Sequence, residues 1–135
     1  MINTEWVTHR SGRHDLYSVD VGIEDAAGNS LVTGYAVRRP DRQWALMLIN
    51  RDRDQAHPVR IAFESGGRSA HFSGPVRMVT FDSEQYVWHG AGRGRSRRSK
   101  PAAGGFIIDA SAHTVFRLPK VSVTVLRGEV GDLDA

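Results

Sequence analysis

The stretch that decides the fold is Val-Ser-Val-Thr-Val-Leu-Arg at positions 121–127. Its valines occupy every second position, with Ser122 and Thr124 between them, so the pattern has the two-residue period of a β-strand. Pro119 marks a break before this stretch and Gly128 follows it. The sequence therefore predicts a β-strand over residues 121–127.

A hairpin is the clearest pattern upstream, and it is centred on Pro40-Asp41-Arg42. Proline presets the backbone for the first position of a turn, so residues 32–39 and 43–50 are predicted to pair as antiparallel strands. Between Trp44 and Ile49 both faces of the second strand are apolar. This predicts a strand that is buried on both sides or central in its sheet.

Further strand patterns recur at short spacing, and helical patterns are nearly absent. They cover residues 5–9, 16–21, 58–64, 76–81, 85–89, 106–108 and 114–118. In the 58–64 pattern, Val59, Ile61 and Phe63 are predicted to face inward. The recurrence predicts an all-β fold, namely a single antiparallel two-sheet β-sandwich of about 8 to 10 short strands with an immunoglobulin-like or jelly-roll-like arrangement. No repeat or boundary interrupts it, so residues 1–135 are interpreted as one domain.

Length and composition exclude several classes of protein. A chain of 135 residues is long enough for one hydrophobic core, and the absence of cysteine excludes disulfides and thiolate chemistry. The first residues lack the basic start and apolar run of a signal peptide, and no apolar stretch approaches the ~20 residues of a membrane helix. We expect neither a signal peptide nor a membrane span in this sequence, and the compartment is left open.

The net charge of +3 comes from one segment. Without its five cations, the chain has 13 basic against 15 acidic residues. The cations are Arg93, Arg95, Arg97, Arg98 and Lys100. They lie in a Gly/Arg-rich segment at about 90–105 that is predicted to be a flexible loop. The cluster has no interleaved aromatics to stack on bases, so a solvated loop is favoured over a polyanion site for nucleic acid or an anionic surface.

No motif for catalysis, a cofactor or a metal is complete. Asn50, Asp52 and Asp54 have the spacing of a calcium loop, but Gln55 stands where glycine is needed and Ile61 stands where a bidentate glutamate is needed. No pair among the six histidines has the helical or hairpin spacing of metal ligands. Carboxylates fall at turns or at predicted solvent-facing positions, without the opposed pair that glycosidic cleavage needs. We therefore predict no catalytic residue, no cofactor and no metal site.

Three aromatic residues, Trp6, Tyr86 and Trp88, are the candidate contact residues. Tyr86 and Trp88 would lie on the same side of one strand. Aromatic rings can cover the apolar C–H face of a sugar, but large aromatics are mostly buried. Packing against the core or a neighbouring domain is therefore favoured over sugar binding.

Several segments, in order, resemble the C-terminal β-domain of proteins related to glycoside hydrolase family 39. They are Thr-Glu-Trp-Val at 4–7, the stretch from Gly28 to Pro40, Trp-Ala-Leu-Met-Leu-Ile-Asn-Arg-Asp at 44–52, Phe-Ser-Gly-Pro-Val at 72–76, Phe-Asp-Ser-Glu-Gln-Tyr-Val-Trp-His at 81–89, and Leu118-Pro119 with the strand after it. Each segment alone is generic. Together the segments cover most of the chain, and their order makes the resemblance moderately specific.

The resemblance implies an accessory sandwich that packs beside a catalytic barrel. The family's acid/base glutamate follows an asparagine on the barrel, and no Asn-Glu pair occurs here, so no catalytic residue is carried over. The leading hypothesis is a non-catalytic accessory domain whose partner is a catalytic barrel. A carbohydrate-binding module and a weak polyanion binder are the alternatives, and self-association is left open.

Overall fold

Ten β-strands form the regular structure in a computed structural model that describes residues 5–8, 12–82 and 105–131. The strands are β1 (Asp15–Ser18), β2 (Val32–Arg38), β3 (Trp44–Asn50), β4 (His57–Val59), β5 (Phe63–Ser65), β6 (Arg68–Ala70), β7 (Phe72–Asp82), β8 (Gly105–Ala110), β9 (Phe116–Leu118) and β10 (Ser122–Val130). These parts of the chain contain no α-helix. The predicted all-β fold and the number of strands are confirmed.

Six of the strands form one antiparallel sheet in the order β1-β2-β3-β10-β7-β8. The hairpin between β2 and β3 closes with a hydrogen bond of 2.9 Å from the Arg39 N–H to the Gln43 carbonyl. Arg42 has a φ of 67°, which places a left-handed residue at the end of the three-residue loop that Pro40 begins. The predicted hairpin is confirmed, and β3 lies inside the sheet as its two apolar faces require.

A second, smaller layer consists of two separate two-stranded sheets, β4 with β9 and β5 with β6. Their apolar residues Val59, Phe63, Phe116 and Leu118 belong to the core cluster or pack against it. We call the face of the large sheet beneath them the inner face. It carries the buried side chains of Ala36, Leu46, Leu48, Val76, Met78 and Leu126.

The opposite side of the large sheet is called the outer face. By strand alternation it carries Tyr35, Val37, Ala45, Met47, Arg77, Val79, Val125 and Arg127. Val37, Ala45, Val79 and Val125 are buried on this face. Both sides of the sheet therefore hold buried apolar residues.

The strand predicted at 121–127 is confirmed as β10, with shifted ends. Val121 precedes the strand with a φ of 46°, and a bulge between Gly128 and Glu129 lets the strand continue to Val130. β10 lies between β3 and β7. Thr124 on its inner face and Val125 on its outer face are both fully buried.

Buried hydroxyl and amide groups on the inner face all have partners. The Thr124 and Thr80 Oγ1 atoms are 3.1 Å apart. The Ser122 hydroxyl donates to the Pro119 carbonyl at 2.6 Å, and Asn50 Nδ2 donates to the same carbonyl at 2.9 Å. These hydrogen bonds allow polar residues on the core side of a strand, where an unpaired polar group would be costly.

Two predicted strands differ from the structure. The pattern at 58–64 predicted one strand, but the chain changes partner there, from β9 in β4 to β6 in β5. Between β4 and β5, His71 Nδ1 lies 3.0 Å from the carbonyl oxygen of Ile61. At this point a side-chain contact takes the place of the hydrogen bonds that would pair two strands. The inward direction of Val59, Ile61 and Phe63 is confirmed. Residues 5–8 of the strand predicted at 5–9 are not in a strand.

The other predicted strands match with changed ends. The patterns at 16–21, 76–81, 106–108 and 114–118 correspond to β1, β7, β8 and β9. The strand predicted at 85–89 and nearly all of the Gly/Arg-rich loop predicted at about 90–105 lie outside the described residues. Those two expectations remain predictions, as does the single-domain interpretation.

Candidate functional site

The residues singled out in the sequence are only partly placed by the structure. Trp6 is half-buried in the short segment 5–8. Tyr86 and Trp88 lie outside the described residues, as do Arg93, Arg95, Arg97, Arg98 and Lys100. The structure therefore does not test whether the three aromatics share a surface or whether the cations act together.

Segment 5–8 is held to the outer face by Glu5. Its two carboxylate oxygens accept hydrogen bonds of 2.8 Å from Arg77 Nε and from Arg127 Nε. Arg77 and Arg127 stand directly opposite each other on β7 and β10. Like charges in that position repel, so a buried carboxylate between them stabilises the sheet.

The electrostatics of Glu5 follow from this position. Burial of the carboxylate raises its pKa, but the hydrogen bonds and charges of Arg127 and Arg77 together outweigh burial. The pKa of Glu5 is therefore held below its ordinary value, and the group is ionised at neutral pH. A carboxylate in this state is a structural counter-ion rather than a proton donor.

Side chains, not strand pairing, hold this segment, which explains why the strand prediction at residues 5–9 is wrong for residues 5–8. Arg39 Nη1 adds a hydrogen bond of 2.8 Å to the Glu5 backbone carbonyl. Gln43 supports the arrangement by accepting from Arg127 Nη1 at 2.8 Å. Glu5 and Arg127 are 122 positions apart. No local sequence pattern signals such a contact, and the sequence analysis missed it.

The outer face also carries exposed apolar side chains. Leu16 on β1 is 74% exposed and Tyr35 on β2 is 51% exposed, and both point to this side. They continue the apolar surface that begins with the buried Val37. A sheet face that stays in water normally alternates to polar residues, so this composition is typical of a face covered by another layer.

A carboxylate–imidazole pair lies at the end of β3. His57 Nε2 is 2.8 Å from Asp52 Oδ2, while Asp52 Oδ1 accepts from the backbone N–H groups of Asp54 and Gln55. The amide of Asp54 first, and then the contact with His57, lower the pKa of Asp52. These bonds occupy the carboxylate in its own turn. Within residues 5–8, 12–82 and 105–131, no group of three His, Asp or Glu residues could hold a metal.

A groove of about 820 Å³ opens between residues 17–23 and residues 58–65, with the inner face of β2 and β3 as its floor. Tyr17 and Trp44 lie in it with their ring centroids 5.0 Å apart, and Trp44 is 5.3 Å from Phe63. Phe72 continues this row of rings into the core at 5.1 Å. The sequence pattern places Trp44 in a buried strand, but it contains no signal of the contact with Tyr17.

Comparison with solved structures finds likenesses to glycoside hydrolases. The Clostridium thermocellum family 44 endoglucanase Cel44A matches 73% of this chain and 17% of its own, with a TM-score of 0.50 and 13% identity. At that identity the likeness concerns the fold alone. The chain therefore has a fold like that of part of this endoglucanase.

Two further structures resemble the chain more weakly. A family 30 endoxylanase from Clostridium papyrosolvens has a TM-score of 0.48 and 21% identity over 79% of this chain and 22% of its own. A family 51 α-L-arabinofuranosidase from Thermotoga petrophila has a TM-score of 0.47 and 15% identity over 76% of this chain and 20% of its own. The chain thus spans about a fifth of the length of these three enzymes.

Neither the protein-family models nor the curated proteins include a match to the chain. In the described parts, no helix has the length and apolar character needed to cross a membrane.

Proposed function

We propose that the chain is a non-catalytic accessory β-sandwich domain of a glycoside-hydrolase-like protein, of the family 39 type, and that it packs beside a catalytic barrel. The observation that carries the proposal is the likeness that takes in 73% of this chain but only 17% of the family 44 endoglucanase. A small accessory domain of a larger enzyme would give a likeness with these proportions. The reaction would then belong to the barrel.

The state of the carboxylates supports a non-catalytic role. Glycoside hydrolysis needs two carboxyl groups facing one bond, and the general acid among them needs a raised pKa. The pKa values of Glu5, Asp25 and Asp52 are all lowered. Glu5 is bonded to two arginines, and Asp25 and Asp52 accept hydrogen bonds from backbone amides of their own turns. None of these three has the properties of a proton donor.

The outer face supports the packing part of the proposal. Leu16 and Tyr35 are exposed apolar side chains of this face on β1 and β2, and a partner placed over these two strands would remove both from water. The charged group of Glu5, Arg77 and Arg127 lies on β7 and β10, away from these two strands, so a partner over β1 and β2 would meet apolar side chains first. Sequence reasoning assigned this role to Trp6, Tyr86 and Trp88, and for those residues it remains a prediction.

The test begins with the coding region on either side of this segment, which is searched for a barrel-sized reading frame. That barrel is expressed alone and titrated with this chain in a calorimeter. We expect one-to-one association that Tyr35→Arg abolishes, because an arginine would place a charge in an apolar interface. Tyr17→Arg is the matched control, since Tyr17 has a similar exposure on the opposite side of the sheet and should leave association unchanged.

Two outcomes would contradict the proposal. One is hydrolysis of aryl glycosides by the purified chain alone. The other is equal association by the wild type and Tyr35→Arg, which would remove the outer face from the interface.

A further inference from the structure

The groove on the inner face, between residues 17–23 and residues 58–65, has a composition that indicates what kind of ligand would suit it. Its volume of about 820 Å³ lies within the range of small-ligand sites, and its lining combines apolar side chains with polar and charged residues. It is lined by Tyr17 and Trp44 at one end and by Val59 and Ile61 along one wall. The groove is open to solvent beside Tyr17, which is 48% exposed.

The aromatic end consists of two contacting rings, Tyr17 and Trp44, whose planes are tilted by 52° to each other. Trp44 supports the Tyr17 ring from one side at 5.0 Å, and Trp44 is itself supported by Phe63 at 5.3 Å. The row therefore needs little ordering when a ligand binds, and preorganisation of this kind favours affinity. A ligand with an apolar face can stack on the exposed part of Tyr17.

The charges around the groove indicate a neutral ligand. Two acidic residues, Asp20 and Glu64, and two basic residues, Arg38 and Arg60, are among those around the groove. Their formal charges cancel, so neither an anion nor a cation is selected by net charge. Carboxylates accept hydrogen bonds and guanidinium groups donate them, so a ligand with many hydroxyl groups can use both.

We propose that this groove binds a neutral oligosaccharide, whose sugar rings combine an apolar C–H face with hydroxyl groups that both donate and accept. The inference goes beyond the proposed function, because an accessory domain can pack against a barrel without binding sugar. It also uses other residues than the sugar surface predicted at Trp6, Tyr86 and Trp88, and the groove is on the other side of the sheet from segment 5–8, which contains Trp6. Substitution of Tyr17 tests the groove on the inner face, and substitution of Tyr35 tests the outer face.

The test is calorimetric titration of the whole chain with cellohexaose, xylohexaose and linear arabinohexaose. We expect at least one of them to bind, and Tyr17→Ala to weaken its binding about tenfold, as the loss of one ring contact would. Tyr17→Phe keeps the ring and should bind like the wild type. Tyr35→Ala removes an equally exposed tyrosine from the outer face and should also bind like the wild type.

Folding is checked in every variant by its thermal unfolding. Trp44→Phe provides a second probe in the groove, because it keeps an aromatic ring in the core row while it reduces the stacking area. Failure of all three neutral sugars to bind would overturn the inference, as would equal weakening by Tyr17→Ala and Tyr35→Ala. Tighter binding of a charged oligogalacturonide than of the neutral sugars would contradict the proposal that the ligand is neutral. Association with the barrel is measured separately, so failure here leaves the proposed function standing.

Discussion

The two faces of the large sheet are buried in different ways. The inner face is covered by the small sheets of the same chain, and its polar side chains Thr124, Ser122 and Asn50 are satisfied by hydrogen bonds. The outer face combines buried valines with a carboxylate held between two arginines and with exposed apolar residues at β1 and β2. The inner face is covered by the small sheets except at the groove beside Tyr17, whereas the outer face leaves Leu16 and Tyr35 exposed on β1 and β2.

The largest expected effect is on the inner face. Leu126 is fully buried in the core cluster, so Leu126→Ala should lower the free energy of unfolding by about 2–5 kcal/mol. Tyr35→Ala on the outer face should change it much less, because half of that side chain is already in water. Urea denaturation of the two variants measures the difference. Equal losses would mean that the outer face supports the core as much as the inner face does.

The stability that the outer face contributes should be more sensitive to acid than the stability that the inner face contributes. At neutral pH, Glu5→Gln should cost about 1.5–3 kcal/mol of unfolding free energy, because two hydrogen bonds to charged groups are weakened. The pKa of Glu5 is depressed in the folded state, so its contribution is fully present above the ordinary value of 4.5 and is lost as pH falls through the folded-state pKa. Urea titrations from neutral to acid pH measure this difference.

Glu64→Gln is the control for that experiment, because Glu64 is an exposed carboxylate in β5. At neutral pH it should leave the free energy of unfolding close to that of the wild type, because the side chain is exposed. A gap between the wild type and Glu5→Gln that stays constant from neutral to acid pH would contradict the role given to the Glu5 charge.

A smaller effect is expected at the buried amide of the inner face. Asn50 Nδ2 lies within 3.2 Å of the carbonyl oxygens of Gln55 and Leu118 and within 2.9 Å of that of Pro119. Asn50→Leu removes the donor and should cost about 1–3 kcal/mol of unfolding free energy. Ser122→Ala should lower the free energy of unfolding by less, since Asn50 Nδ2 still donates a hydrogen bond to the Pro119 carbonyl. A reversed order in chemical denaturation would be evidence against this network.

The smallest effect concerns the hydroxyl pair between β7 and β10. Thr124→Val leaves the Thr80 hydroxyl without its partner and should cost about 1 kcal/mol. The double variant Thr80→Val/Thr124→Val removes both hydroxyls and should recover most of that loss. A double-mutant cycle by urea denaturation gives the coupling energy, and strictly additive losses would show that the two hydroxyls act separately.

Local patterns predicted much of the fold. The turn at Pro40 and the two apolar faces of β3 are properties of a few adjacent residues, and both were correct. The alternation in β10 predicted a strand but gave no indication that Thr124 would be as buried as Val125, because that depends on Thr80 in another strand.

The candidate sites were largely beyond local patterns. Glu5 is 72 positions from Arg77, and Tyr17 meets Trp44 across the intervening strand β2, so both contacts follow from the order of strands in the sheet. A pattern within one strand cannot specify that order. The residues that the sequence did indicate at 86, 88 and 93–100 lie outside the described part of the chain.

The central claim is that a catalytic barrel packs on the outer face, and oxidative footprinting of Tyr35 and Tyr17 tests it most directly. The two tyrosines are 51% and 48% exposed on opposite sides of the sheet, so each is a control for the other. The account predicts that adding the barrel protects Tyr35 and leaves Tyr17 reactive. Unchanged reactivity of Tyr35 in a mixture where the barrel is bound would contradict it.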